Sequence, residues 1–203
     1  MDKRDFPATE IFRFARGSIE HGLVHQSPLP VRCDELHPAL TEPAATFTTL
    51  RIDGKLRGCC GTLEARYPLA EDVSLSAFQA AFQDTRFDPV GKDELPAIRL
   101  EVSVLSPLQS LLVTDEADLL DQLSPGRDGV VILADGRRAT FLPKVWETIP
   151  DPRQFLAALK SKCGLAADFW SERLEFRRYQ TTCYAEPSRL NIKVEYDAWH
   201  DAD

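Results

Sequence analysis

The sequence predicts an α/β chain in which amphipathic helices and antiparallel hairpins are mixed. Three observations lead there. Two Asp-Gly pairs, Asp53-Gly54 and Asp135-Gly136, each stand between strand-like runs. Both centre positions of such a turn take positive φ, which Asp and Gly tolerate. Near the amino end, Ile11, Phe12, Phe14, Ala15, Ile19 and Leu23 recur at helical spacing. Further on, Ile98, Leu100, Val102 and Val104 alternate with Arg99, Glu101 and Ser103, the pattern of a half-buried strand. With 203 residues, 43% hydrophobic and 28% charged, the chain has a soluble globule's composition. It is long enough to build a core without a disulfide or metal staple.

The elements follow in order. The first apolar stripe predicts a helix over 7–22. His21 and His25 sit four apart at its end, a metal-ligand spacing. No third ligand is placed beside them, so a surface or cap role is expected. Residues 26–43, with Pro28, Pro30, Pro38 and Pro43, read as a long irregular connection that could border a cleft. Residues 45–53 and 55–63 form the first hairpin. With its turn on Asp53-Gly54, Ile52 faces Lys55, Leu50 faces Arg57, Thr48 faces Cys59 and Phe47 faces Cys60. Cys59 then shares a face with Arg57 and Thr48, and Cys60 shares the other with Phe47 and Leu56. On this register Cys60 is a core residue and Cys59 the reactive-thiol candidate. A bulge at Gly58 would shift the pairing by one and exchange those roles.

Pro68 opens the next helix, with Glu71 and Asp72 in the first turn, where the helix dipole favours acids. It ends near Gln83. A polar corner follows, Asp84-Thr85-Arg86-Phe87-Asp88-Pro89, anchored by its one aromatic. Beyond the strand at 98–105 come a short helix over 115–123, a second hairpin from 129–134 and 138–142, and a short helix over 143–149. Asp151, Pro152 and Gln154 make a helix start, and Gly164 supplies the stop. Cys163 faces the core from that helix. Phe169 and Trp170 are placed on a further short helix. Residues 174–184 read as one late strand with Cys183 packed in it. Leu190, Ile192, Val194 and Tyr196 form a last alternating stretch before an acidic end expected to fray.

The net charge of −8 disfavours a nucleic-acid partner, since phosphate neutralisation needs clustered Lys and Arg. No apolar run approaches a membrane span, and the amino-terminal segment is amphipathic rather than a signal-peptide core. Five cysteines, an odd number without framework spacing, read as reduced thiols in the cytoplasm. The most informative segment is Leu-Arg-Gly-Cys-Cys-Gly at 56–61. Gly58 and Gly61 permit a close approach or a bend. Arg57 offers the positive charge that favours a thiolate. Adjacent cysteines on a strand point apart, and no glycine cluster leads into a helix as a phosphate-binding loop would. No metal and no cofactor are therefore expected.

That segment resembles the Leu-Arg-Gly-Cys-Ile-Gly signature of the AMMECR family, whose microbial members are called protein A of the AmmeMemoRadiSam system. Further matches keep their order. Asp84-Thr85-Arg86-Phe87 is similar to the family's Asp-Pro-Arg-Phe, and Glu101-Val102-Ser103-Val104-Leu105 to its central strand. Phe141-Leu142-Pro143-Lys144-Val145 and Ser161-Lys162-Cys163-Gly164-Leu165 resemble two later motifs. The matches span about residues 7–186. Cys60 stands where the signature usually has Ile, which supports Cys60 as core. Thr85 replaces Pro but keeps Asp84 and Arg86.

The resemblance implies one α+β domain over residues 1–203, two-lobed, with the lobes interleaved in sequence. It implies an antiparallel sheet flanked by helices in the larger lobe, and a cleft between lobes. It also implies association with a Memo-like protein and a radical-SAM protein. Two functional classes stay open. In one, the chain binds a small anionic ligand or a peptide, through Arg57, Gly58, Gly61, Arg86 and Lys144, with Lys162 a further candidate. In the other it is an enzyme or enzyme subunit with Cys59 as nucleophile, beside Arg57 and Asp84. No histidine falls in a matched motif, so the familiar Cys-His pairing lacks its base.

Overall fold

The structure, a computed structural model, describes residues 6–187. Among these, 6–104 together with 183–187 form one compact unit, and 105–182 form a second. The alternating stretch at 190–196 lies outside the described residues.

The first unit starts with α1 (Ala8–His25), which buries Ile11, Phe12, Phe14, Ala15 and Ile19. It runs three residues past the expected end and stops where Gln26 turns left-handed, φ 56°. The connection that follows carries two short elements, α2 (Pro38–Thr41) and β1 (Pro43–Ala44). Then come the hairpin strands β2 (Thr46–Ile52) and β3 (Lys55–Gly61), the short β4 (Tyr67–Pro68) paired with β1, and α3 (Leu69–Phe82). After a single 3-10 turn at Lys92–Glu94 the chain enters β5 (Arg99–Leu105). Helix α3 packs on β2 and β3, and α1 packs on α3. The apolar stripes of both helices and the inner side chains Leu50, Leu100, Val102 and Val104 form one core.

The second unit holds β6 (Gln109–Leu111), α4 (Glu116–Gln122), β7 (Gly129–Ala134), β8 (Arg137–Phe141), α5 (Pro152–Lys162) and β9 (Glu175–Tyr179). Its sheet has the order β6-β9-β7-β8, and its neighbouring strands pair antiparallel. The helix start expected at Asp151 is present: its carboxylate accepts the Gln154 N–H at 2.8 Å. Trp146 stacks on Phe155 with ring centroids 3.7 Å apart, and Cys163 is buried in the same core. The run from β9 into β10 (Thr181–Ala185) returns the chain to the first sheet, whose order is β10-β5-β2-β3. Mixed helices and antiparallel sheets make this an α+β fold, as the sequence predicts.

Three expectations need correction. The late strand is two strands in different sheets, broken at Gln180, whose N–H and C=O are both taken by Ser106. A side chain's partners at one residue decide that break, and period-2 patterning does not register it. Phe169 and Trp170 lie on no helix. The chain there makes one turn, Phe169 N–H to Ala166 C=O, and Trp170 stacks on Phe176 of β9 instead. Cys183 is exposed rather than packed, with its sulfur 3.3 Å from the Ser103 hydroxyl. No disulfide joins the five cysteines. No described helix is long and apolar enough to cross a membrane.

Candidate functional site

The hairpin turn forms on Asp53-Gly54, and Ile52 pairs with Lys55 as expected. Beyond it the register differs. Arg51 pairs with Leu56 and Leu50 with Gly58, so Arg57 is the extra residue of a bulge. Thr49 then faces Cys59, and Thr48 faces Cys60. The core face also differs from the expected one. Thr48 and Leu50 are fully buried, and the Thr48 hydroxyl meets Ser76 of α3 at 2.8 Å. The two differences offset each other, so the roles are not exchanged. Cys60 still packs against the core, and Cys59 still lies on the opposite face, opposite Thr49 rather than Thr48.

The glycine of the bulge has a plain physical role. A Cβ on Gly58 would sit 2.1 Å from the Ala80 carbonyl oxygen, so the α3 backbone is what approaches there. Gly61 is likewise pressed against Thr46 and Phe47 of β2.

Strand β3 is an edge strand, and its outward backbone groups need partners. The corner at 84–87 supplies them with side chains. The Asp84 carboxylate accepts the Cys59 N–H at 2.9 Å, and Arg86 Nη2 donates to the Cys59 carbonyl at 3.3 Å. Asp84 and Arg86 are themselves joined by two side-chain bonds, at 2.8 and 2.7 Å, and by the Arg86 backbone N–H, which donates to Asp84 at 3.2 Å. The pair thus takes the place of a neighbouring strand along one residue of β3. The Arg86 guanidinium holds the Asp84 carboxyl well below the usual carboxylate range; burial opposes this, and the Cys59 N–H adds to it.

Arg57 is also occupied. Its Nε and Nη2 bind Glu94 at 2.7 and 2.9 Å, and its guanidinium lies 6.0 Å from the Phe87 ring centroid. Glu94 also accepts the Gly91 N–H, at 2.8 Å. The cation expected to assist Cys59 is therefore neutralised by a carboxylate. The polar group on the Cys59 sulfur is instead the Thr49 hydroxyl, at 3.4 Å. For Cys60, burial above all pushes the thiol up to about 11, with the Asp84 charge adding to it, so it stays protonated at neutral pH.

Arg57, Thr85, Arg86, Phe87 and Asp88 line an open hollow of about 440 Å³. Two guanidinium nitrogens remain here. Arg57 Nη1 is buried with no hydrogen-bond partner. Arg86 bonds through Nε and Nη2, and no hydrogen bond of the described residues uses its Nη1. The structure thus brings Arg57, Gly58, Cys59, Asp84 and Arg86 together at one edge. Lys144 is exposed on the 3-10 turn Pro143–Glu147 of the second unit, and Lys162, also there, donates to the Thr140 carbonyl at 2.9 Å. The His21 and His25 rings lie 4.3 Å apart, tilted by 31°, with His21 Nδ1 2.9 Å from the Ser27 carbonyl. No group of three metal-ligating side chains converges among the described residues.

Sequence reasoning missed two residues. Glu94 lies between recognised motifs and carries no local signal. Asp72 reads as a dipole-favoured first-turn acid, yet it is 3% exposed and faces β2. There it accepts the Thr46 N–H at 2.8 Å and hydroxyl at 2.6 Å.

Comparison with known proteins agrees with the fold. The AMMECR1 family model matches residues 12–184. A protein of Methanococcus aeolicus is 36% identical over 200 residues, spanning 96% of this chain and 99% of its own. Protein NEQ441 of Nanoarchaeum equitans is 37% identical over 139 residues, 68% of this chain and 77% of its own. The crystal structure of uncharacterized protein PH0010 from Pyrococcus horikoshii shares the fold, with a TM-score of 0.81 and 30% identity over 88% of this chain and 91% of that one. The ordered motifs, the fold and these matches together place the chain in the AMMECR1 family.

Proposed function

We propose that this chain is a binding module that takes a small anionic ligand in the hollow beside Arg57 and Arg86. The observation that supports this is the guanidinium nitrogen left over at each residue. Arg57 Nη1 is sealed and unpartnered in the unliganded protein, which is costly for a donor, and a ligand oxygen that enters beside exposed Arg86 and displaces its cover relieves that cost. A carboxylate or phosphate oxygen fits such a donor, and Phe87 gives the hollow an apolar wall. By resemblance, the module acts with a Memo-like protein and a radical-SAM protein.

Titration calorimetry with inorganic phosphate and with acetate tests the site. Arg57→Lys keeps the charge opposite Glu94 but removes the spare nitrogen. Binding is expected to weaken by about tenfold or more, the scale of one charge-assisted hydrogen bond. Unaltered binding in this variant, or none in the wild type, would sink the reading. Analytical ultracentrifugation with purified Memo-like protein tests the partner expectation, and the absence of a complex counts against it.

The second reading, a reactive thiol at Cys59, has one observation in its favour: a hydroxyl donor 3.4 Å from the sulfur. Native alkylation with iodoacetamide should then label Cys59 ahead of Cys60 and Cys163, and Thr49→Val should slow it. Equal rates at all three thiols argue against it.

A further inference from the structure

A second hollow in the first unit, of about 180 Å³, lies between β3, the start of β4 and α3. Asp72 stands in its wall, with Ser76, Gln79, Arg66, Tyr67 and Leu75 among the others. Its side chain is built in on one side only. Both Thr46 donors go to Oδ2. No hydrogen bond of the described residues reaches Oδ1, and Asp72 lines the hollow. Asp72 enters none of the ion pairs of the described residues.

The neighbours do not provide a counter-charge. Ser76 is engaged by Thr46 and Thr48, at 3.0 and 2.8 Å. Arg66 at the rim is paired with Glu64. Glu71, the preceding residue of α3, adds a like charge that disfavours ionised Asp72. A buried carboxylate with one free oxygen and no cation is an incomplete arrangement, and a small cation bearing N–H donors completes it.

We infer that this hollow is a binding site for a primary ammonium group, with Asp72 Oδ1 as its anionic acceptor. Leu75 and the Tyr67 ring accept a short alkyl stem, and the Gln79 amide oxygen offers a second acceptor. This site is separate from the hollow at Arg57 and takes the opposite charge, so each reading can fail without the other. Two sources share this chemistry, a free small amine and the amino terminus of a peptide.

The test uses the full chain and three probes: n-propylamine, trialanine amide, and trialanine amide with its amino terminus acetylated. In wild-type protein, at about neutral pH, one or both free amines should shift the backbone amide resonances of Thr62 and Gln79, and the acetylated peptide should not. Which amine binds more tightly tells the free-amine source from the peptide end. Asp72→Asn keeps the shape and an acceptor for Thr46 but removes the charge; binding should fall by about tenfold or more. Binding should also weaken below about pH 6, because burial, only partly offset by the Thr46 bonds, pushes the Asp72 carboxyl up to about 6. Equal shifts from the acetylated peptide, resonance changes confined to other residues, or undiminished binding by Asp72→Asn would each overturn the assignment.

Discussion

The two Asp-Gly hairpins start alike and continue differently. Both turns have positive φ at each centre, 50° and 75° at Asp53-Gly54, and 47° and 79° at Asp135-Gly136. From the second turn, β7 and β8 pair without interruption, from Ala134 with Arg137 to Val130 with Phe141. From the first, the ladder slips at Arg57 after two pairs. The turns are equivalent, so the cause lies in what the strands meet. On β3, Glu94 draws Arg57 out of the ladder, the α3 backbone seats on Gly58, and Asp84 takes the Cys59 N–H. A turn fixes the pairs nearest to it, and tertiary partners fix those further along.

The comparison is broken most forcefully at its glycines. Gly58→Ala is expected to destabilise the protein by about 3 kcal/mol or more, as overpacking against backbone does. The new Cβ would meet the Ala80 carbonyl, which cannot rotate aside. Gly136→Ala points into open space and carries only the strain of φ at 79°, about 1 kcal/mol. Urea unfolding of both variants checks the contrast; equal losses would mean that the α3–β3 approach is not what sets the first hairpin.

The strand edges offer a smaller contrast. On β3, the backbone of Cys59 is closed by the buried Asp84 with Arg86. On β8, the Thr140 carbonyl receives an exposed lysine, Lys162. Asp84→Asn is expected to cost about 2 kcal/mol, because it weakens a charge-assisted network and leaves Arg86 without its anion. Lys162→Ala should cost about 1 kcal/mol or less. Asp84 titrates lower when folded than when unfolded. Its stabilisation is complete above its unfolded value, about 3.9, and is lost as the pH falls through the folded one. Thermal unfolding across that acid range should therefore be flatter in Asp84→Asn than in the wild type. Parallel pH profiles would show that the edge is not held by this charge.

Legibility in the sequence followed the range of the interaction. Helices α1 and α5, both turns and the strand β5 were readable because periodicity, caps and Asp-Gly chemistry are local. The hairpin faces were not, since one bulge depends on Glu94, distant in sequence, and on a helix backbone that leaves no pattern. Asp84, Arg86 and Cys59 could be named as a group through the motif resemblance. Their joint task of closing an edge strand needed coordinates. Asp72 escaped because an acid in a helix's first turn has an adequate local explanation, and nothing in the residues around it announces that it points inward.

Asp72 sharpens the comparison of edges, because it is the other buried carboxylate that holds this hairpin and its sign is opposite. Asp84 grips β3 with a cation beside it, whereas Asp72 grips Thr46 of β2 with none. Burial, which outweighs the Thr46 hydrogen bonds, pushes Asp72 up to about 6. A folded value above the unfolded one, about 3.9, means that its contribution to stability is complete below that lower pH. The contribution is lost as the pH rises through about 6. Asp72→Asn holds the same Thr46 donors with a neutral group. It should therefore stabilise the protein by about 1–2 kcal/mol at neutral pH and make no difference near pH 4. Chemical denaturation at the two pH values, without added amine, measures this directly. A variant less stable than wild type at neutral pH would mean that the carboxylate, rather than its shape, is what β2 requires.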